Sequence, residues 1–419
     1  MSILGFVGLV AGTTSVPLLS ACRAKQVSQT SDKVSAIEGV SASAGQVSGP
    51  GLARVTPQTS GAAGETGAAP TRWSGEVDHP ERGSSTTRHD GGPSAGSTEP
   101  AQRGRSAAVR AAVVAALAIA MGSLFLASYI LALGDPVPHR IDAAIVGDPS
   151  SHQDVVAEVE RVAGGGVDFH PSPSVAAALR AIDGQQVYVA LDVTPPIPHL
   201  YVASAAGASV ARVFASVSAA DPQIRVMDTH PLPPSDPQGL DVFYLVLAAT
   251  ILGFLTVFQA RMNAGGLSLR NWTVFVLSFA LAASLVLVLV TGPLLHRLAL
   301  PLLESWAILA LQLITVAAFA STMAVLIGRW AIMPTFLLFV VLGNASSGGA
   351  VAPPLLPRPF AIVSQWLPSG VTVTALRDAT YFHSYQQVRP VAVLAVWAVT
   401  SLAAMLVLSH RRRASPGVP

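Results

Sequence analysis

The chain holds one cysteine, Cys22, so no disulfide can close within it. Its only lysines are Lys25 and Lys33, and neither stands in a Gly-x-x-x-x-Gly-Lys-[Ser/Thr] phosphate loop. Without that loop the chain has no nucleotide engine of the usual kind. The ten histidines include no pair at the helical spacing that metal ligation needs. Asp168-Phe169-His170 reads as a solvated domain edge rather than a metal site. No catalytic constellation is present, so neither an enzyme nor a cofactor is expected. Charged residues make up 11% of the 419 positions, where about 25% is usual for a soluble protein. The net charge of +2 says little about partners, and no nucleic-acid partner is expected.

What the chain has instead is apolar residues, 51% of the total, arranged in blocks. That pattern belongs to a helical membrane protein whose partner is the lipid bilayer. Heavy use of Ala, Arg, Gly and Pro fits a GC-rich bacterial genome. Residues 1–22 are apolar and end in Leu19-Ser20-Ala21-Cys22, which is similar to a bacterial lipobox. The segment lacks the basic start of a signal peptide, which favours a leader with no role or an upstream extension. Residues 23–105 are rich in Ser, Gly, Thr, Ala and Pro and are expected to be disordered.

Six spans are predicted, at 107–133, 241–258, 272–292, 304–327, 331–349 and 391–409. Arg103, Arg105 and Arg110 precede the first span, and Arg411, Arg412 and Arg413 follow the last. The positive-inside rule therefore puts both ends in the cytoplasm of a bacterial inner membrane. The tail is taken as 411–419. Residues 134–238 differ in kind. Strand-like runs at Ile141–Gly147, Val187–Leu191, Leu200–Ala203 and Ile224–Met227 alternate with helical patterns. Val155, Val159 and Val162 share one helix face, Val175, Leu179 and Ile182 another, and a third helix is read over Ala208–Val217. This predicts a small extracytoplasmic α/β domain between the first two spans.

The spans carry no embedded carboxylate. Asp241 and Glu304 fall at helix ends, which counts against an ion-coupled carrier. Gln312, Thr315, Ser321 and Thr322 are the polar residues inside the third of the later spans; they either line a path or knit helices together. The sequons Asn271-Trp272-Thr273 and Asn344-Ala345-Ser346 sit at membrane edges and are dismissed as chance.

One stretch organises the rest: Gly343-Asn344-Ala345-Ser346-Ser347-Gly348-Gly349-Ala350. It ends an apolar run and opens a proline-rich loop. Such backbone survives at membrane depth only where protein or water satisfies it. A helix that breaks and turns back is therefore predicted, with an outer re-entrant loop over 351–388.

The order Asn344–Gly349, Leu355-Leu356-Pro357, Trp366-Leu367-Pro368-Ser369-Gly370, Ala375-Leu376-Arg377 and Tyr381-Phe382 resembles the C-terminal region of the phage-infection-protein (Pip-like) membrane proteins. That group is similar to type-2 ABC exporter permeases. The resemblance covers residues 107–410 in layout and 343–382 in motif. It implies a dimeric permease subunit that moves an amphipathic or lipid-like substrate with a separate ATPase. Gly343, Gly348 and Gly349 would then supply the turn, Pro353, Pro354 and Pro357 would stiffen the descent, and Trp366 would sit at the interface. Arg377 would face headgroups or cap carbonyls. The gating motif would be Gly343, Asn344, Ser346, Ser347, Gly348, Gly349, Pro357, Leu367, Pro368, Arg377 and Tyr381. The loop Gln259–Asn271, with Arg261 and Arg270, would meet the ATPase. The rival reading is a non-transporting surface scaffold or receptor that works through its outer domain.

Overall fold

The computed structural model describes residues 99–264 and 266–414. Residues 99–105 of the expected disordered extension are instead helical, as the start of a long helix; the rest of it, and the leader ending at Cys22, lie outside the described residues. So does Gly92-Pro93-Ser94-Ala95-Gly96, which has the spacing of a nucleophile elbow but stands in a Ser/Gly-rich tract.

Helix α1 (Glu99–Leu133) comes first. Its 35 residues rise about 52 Å, well beyond a hydrocarbon core of about 30 Å. A sheet domain follows: β1 (Ile141–Val146), α2 (Gln153–Val162), β2 (Val167–Ser172), α3 (Val175–Asp183), β3 (Val189–Asp192), β4 (His199–Val202), α4 (Ala208–Ala215), α5 (Val217–Ala220) and β5 (Arg225–Asp228). The strand order is β2-β1-β3-β4-β5. Only β3 and β4 run antiparallel; the other neighbours are parallel. The strand the sequence pattern missed is β2. It is an edge strand, half-exposed, with Pro171 inside it, and an edge is where proline is tolerated.

Alternation along β1 sends Ile141, Ala143 and Ile145 to one face and Ala144 and Val146 to the other. Ala178 and Ile182 of α3 cover the second face. Val155 and Val159 of α2, with Val210, Phe214 and Val217, cover the first. Helices alone do not close it. Ala345, Val351, Ala352, Leu355 and Leu356, from far along the chain, complete the same core.

The membrane-type helices are α6 (Asp241–Asn263), α7 (Leu269–Leu289), α8 (Leu302–Ile327), α9 (Ile332–Phe336), α10 (Arg358–Ser364), α11 (Pro368–Tyr381) and α12 (Val388–Ala414). Among the described residues, five helical stretches are long and apolar enough to cross a bilayer: Ala108–Leu133, Asp241–Asn263, Leu269–Leu294, Leu302–Asn344 and Val388–Arg412. The chain thus has the architecture of a polytopic helical membrane protein carrying a small sheet domain. The fourth stretch is not one rod. Gly328 ends α8 at φ +61°, a left-handed conformation glycine adopts without strain. The chain reverses there into α9 and a π-wound segment, Leu337–Asn344. The Phe319 and Phe339 rings stand 5.3 Å apart, whereas a straight helix would separate them by about 30 Å.

Helix α8 is the centre of the bundle and packs against α6, α7, α11 and α12. Gly253 of α6 lets it approach closely, since a Cβ there would stand 2.9 Å from Val316. At the sheet end, the Asp236 carboxylate accepts the backbone N–H groups of Leu240 and Asp241 at 3.0 Å each. These are donors that the start of α6 leaves unpaired. Asp241 pairs with Arg297 at 2.7 Å. At the far end, Arg412 donates to the Leu326 carbonyl at 2.8 Å, so α8 and α12 finish together.

Candidate functional site

The predicted break is present. After Asn344 the chain turns through 345–352, descends through Pro353–Leu355 and α10, reverses at 365–367 and rises as α11. The three glycines of the turn do different jobs. Only Gly348 needs positive φ, at +74°. A Cβ on Gly349 would stand 2.8 Å from the Phe243 Cβ, and one on Gly343 would stand 3.1 Å from Ser369 Oγ. These two are glycine because neighbours press on them. The sequence pattern assigns all three to turning and gives no role to Gly370, whose Cβ would overlap the Ser364 carbonyl oxygen. Pro357 precedes α10, and Pro368 opens α11 behind the buried Leu367. At the first helical position proline loses no hydrogen bond.

Arg377 caps carbonyls, as one of its two expected roles required, though they belong to the turn rather than to a helix end. Nη1 donates to the Gly348 carbonyl and Nη2 to the Gly349 carbonyl, both at 2.8 Å. Tyr188 of the sheet domain is pushed up to about 12 by burial, with the nearby Arg377 charge opposing the shift. The next residue, Asp378, accepts from Gln185 Nε2 at 2.6 Å and from the Gln387 backbone at 3.2 Å. Gln185 holds φ +53° at the tip after α3. A non-glycine residue in that region costs about 1–3 kcal/mol and persists where its surroundings fix it.

Further contacts join the sheet domain to the hairpin. The Ala352 N–H donates to Ser209 Oγ at 2.9 Å, and the His139 N–H donates to the Pro354 carbonyl at 3.0 Å. His230 stacks on Phe382, next to Tyr381, with centroids 4.7 Å apart. The Tyr381 hydroxyl itself is buried without a hydrogen-bond partner. Trp366 is exposed at the bottom of the hairpin under the Arg389 guanidinium, 5.0 Å from its ring centre.

The four mid-span polar residues of α8, Gln312, Thr315, Ser321 and Thr322, are all buried. Gln312 joins three helices: Nε2 donates to Thr250 Oγ1 of α6, and Oε1 accepts from Thr372 Oγ1 of α11, both at 3.1 Å. Thr315 and Thr322 donate to carbonyls of their own helix, and Ser321 Oγ accepts from Trp272 Nε1 at 3.1 Å. Within one chain they knit the bundle. Both threonines around Gln312 also donate to their own helix backbone. Gln312→Met is therefore expected to cost only about 1 kcal/mol, one net hydrogen bond, in denaturant or thermal unfolding of the purified chain.

Ser346 and Ser347 donate within the turn, to the carbonyls of Leu342 and Asn344 at 2.7 and 2.8 Å. Asn344 is different. It is 1% exposed, and neither Nδ2 nor Oδ1 has a hydrogen-bond partner. The Tyr129 hydroxyl is beside it without a well-formed bond, and Ser369 Oγ is also unpaired. Three orphaned polar groups, from α1, the break and the start of α11, thus surround the turn. Buried polar groups are nearly always paired, so such a cluster calls for an explanation.

The loop expected to meet an ATPase is shorter than the sequence reading had it. Helix α6 runs on to Asn263, and Arg270 sits in the first turn of α7, leaving 264–268 as connector. Arg270 is exposed, whereas Arg261 turns inward over the Trp272 ring at 4.8 Å. In the sheet domain, Asp142 joins Asp168 and His170, with one ligand-type atom of each within 4.8 Å of the others. Arg140 already pairs with Asp168 at 3.2 Å, and His170 pairs with Asp142 at 3.2 Å. The group is a satisfied edge of the β1–β2 pair. Comparison with known families, curated proteins and solved structures finds no match to this chain.

Proposed function

We propose that the chain is the membrane subunit of an exporter driven by a separate ATPase, working as a homodimer on an amphipathic or lipid-like substrate. The proposal takes α8 and the 332–344 limb as separate passes, giving six, with both termini in the cytoplasm and the sheet domain outside. The arginine bias and the resemblance across 343–382 support that orientation. Arg261, Arg270, Arg329, Arg411, Arg412 and Arg413 stand towards the end of the bundle away from the sheet, against Arg297 and Arg377 at the sheet end.

The observation that carries the reading is the unpaired polar cluster of Asn344, Ser369 and Tyr129 at the turn of a hairpin that also holds the sheet domain. Thr372 meets α8 at Gln312, ten residues in from Leu302. That is about 15 Å along the helix, close to half the hydrocarbon thickness. Ser369, three residues before Thr372, lies near that depth, and a reversal there that leaves polar groups unsatisfied is a poor static anchor. It fits a gate whose other position pairs them. Asn344→Leu removes two of the orphaned atoms. It is expected to leave thermal stability equal or raise it by about 1–3 kcal/mol, and to abolish the phenotype the chain confers. A variant that is less stable yet fully functional would remove the support for a gate.

The rival reading, a mount for a surface receptor, draws on the core shared by the sheet domain and residues 345–356. That core ties the domain down instead of leaving it on a tether. Purification of the full chain from its own membranes separates the two. Recovery of a partner with a phosphate loop, and of ATP hydrolysis with it, supports export. Full phenotype from a chain that never associates with an ATPase supports the mount.

A further inference from the structure

At the end of the bundle away from the sheet, α6, α7, α8 and α12 surround a cavity of about 390 Å³. Its polar lining comes from Arg261, Arg412 and Ser409, and its apolar lining includes Leu269, Trp272 and Val325. Both guanidinium groups are held by neutral partners. Arg261 lies over the Trp272 ring, its Nη2 reaches the Ser321 carbonyl at 3.5 Å, and its Nε is buried without a partner. Arg412 donates to the Leu326 carbonyl at 2.8 Å.

Among the described residues these arginines have no acidic partner. From Val242 to Pro419 the sequence contains two acidic residues, Glu304 and Asp378. Glu304 accepts from Gln386 and Asp378 from Gln185, both at the sheet end. Two cations converging on one cavity, one with a spare buried donor, constitute a site for an anion. A guanidinium fork suits the paired oxygens of a phosphate.

Depth selects the source of that anion. Ser321, where Arg261 is anchored, lies six residues inside the end of α8, about 9 Å from it. The guanidinium is drawn inward from the helix ends, over the ring of the buried Trp272. A carboxylate on the surface of a soluble partner would have to enter the cavity to reach it. A phospholipid phosphate already lies at that level, with apolar wall below for the glycerol and the first methylenes. We propose that this cavity is a binding site for the phosphate headgroup of an anionic phospholipid. Basic pockets between helices on the cytoplasmic side of membrane proteins take such headgroups. The inference needs the helices to cross a bilayer. It does not need the export reading, and either can fail alone.

The test is native mass spectrometry of the full chain in detergent, titrated with phosphatidylglycerol or with phosphatidylcholine. The wild-type chain is expected to retain one phosphatidylglycerol in preference to phosphatidylcholine. Ser409→Glu keeps both arginines and adds a carboxylate to the same lining. It is expected to weaken phosphatidylglycerol retention by about tenfold or more, the factor for losing one good contact, without shifting the melting temperature. Arg261→Gln combined with Arg412→Gln should weaken phosphatidylglycerol retention likewise, and Arg412→Lys should keep most of the binding. Equal retention of the two lipids, or unchanged retention in Ser409→Glu, overturns the proposal. Displacement of the lipid by inorganic phosphate at equal concentration also overturns it, by assigning the cavity to a soluble anion.

Discussion

Gly370→Ala is expected to unseat the hairpin. The added methyl would overlap the carbonyl oxygen of Ser364 and stand 2.8 Å from its carbonyl carbon. Backbone cannot swing aside as a flexible side chain can. The reversal between α10 and α11 must open, and with it the buried contacts of Leu367, Ser369 and Val371. Overpacking of this kind costs about 3 kcal/mol or more where neighbours are rigid. The measurement is thermal unfolding in detergent, with Gly266→Ala as control. Gly266 is exposed with nothing near its Cβ position, so its change is expected to stay within about 0.5 kcal/mol. Equal melting of the two variants would show that the reversal tolerates a side chain after all.

The second large effect is expected at Arg377. Arg377→Met removes both donors from the Gly348 and Gly349 carbonyls. Each orphaned acceptor costs about 1–3 kcal/mol. Part of that is returned, because the guanidinium no longer has to be held out of water. The net expectation is a loss of about 2–4 kcal/mol. Arg377→Lys keeps the charge but presents a point donor instead of a fork, and should recover no more than half of it. Full recovery by lysine would mean that charge, not the two-carbonyl fork, holds the turn. The two variants also separate the two halves of the hairpin. Gly370 acts at the lower reversal, Arg377 at the upper turn.

The fold was legible wherever one face repeated. The apolar runs marked where the bilayer-length helices lie but not their ends, and the predicted spans at 304–327 and 331–349 fall in one stretch, Leu302–Asn344, bent at Gly328; Val155 with Val159 marked a helix face that is indeed buried. The break at Gly343–Gly349 was legible because a run of small polar residues cannot continue a lipid-facing helix. Missed were features that depend on a partner distant in the chain. Strand β2 lacks alternation because it lies at an edge. Gly370 looks like any glycine near a helix start until Ser364 is set against it. Asp142 meets His170 only through the β1–β2 register. The inward turn of Arg261 could not be read from a loop sequence. It depends on Trp272 and Ser321, and the signal available was the absence of any acid nearby.

The sheet and the residues that finish it are far apart in the order of synthesis. All five strands have emerged by Asp228, but Ala345 to Leu356 follow more than a hundred residues later. At ordinary translation speed that is a delay on the order of ten seconds. Throughout it Ile141, Leu191 and Leu200 have an unfinished lid. The newborn domain must wait, greasy side open, while helix after helix is inserted behind it. Slowing the insertion of the last third of the chain should therefore harm the first-made part most.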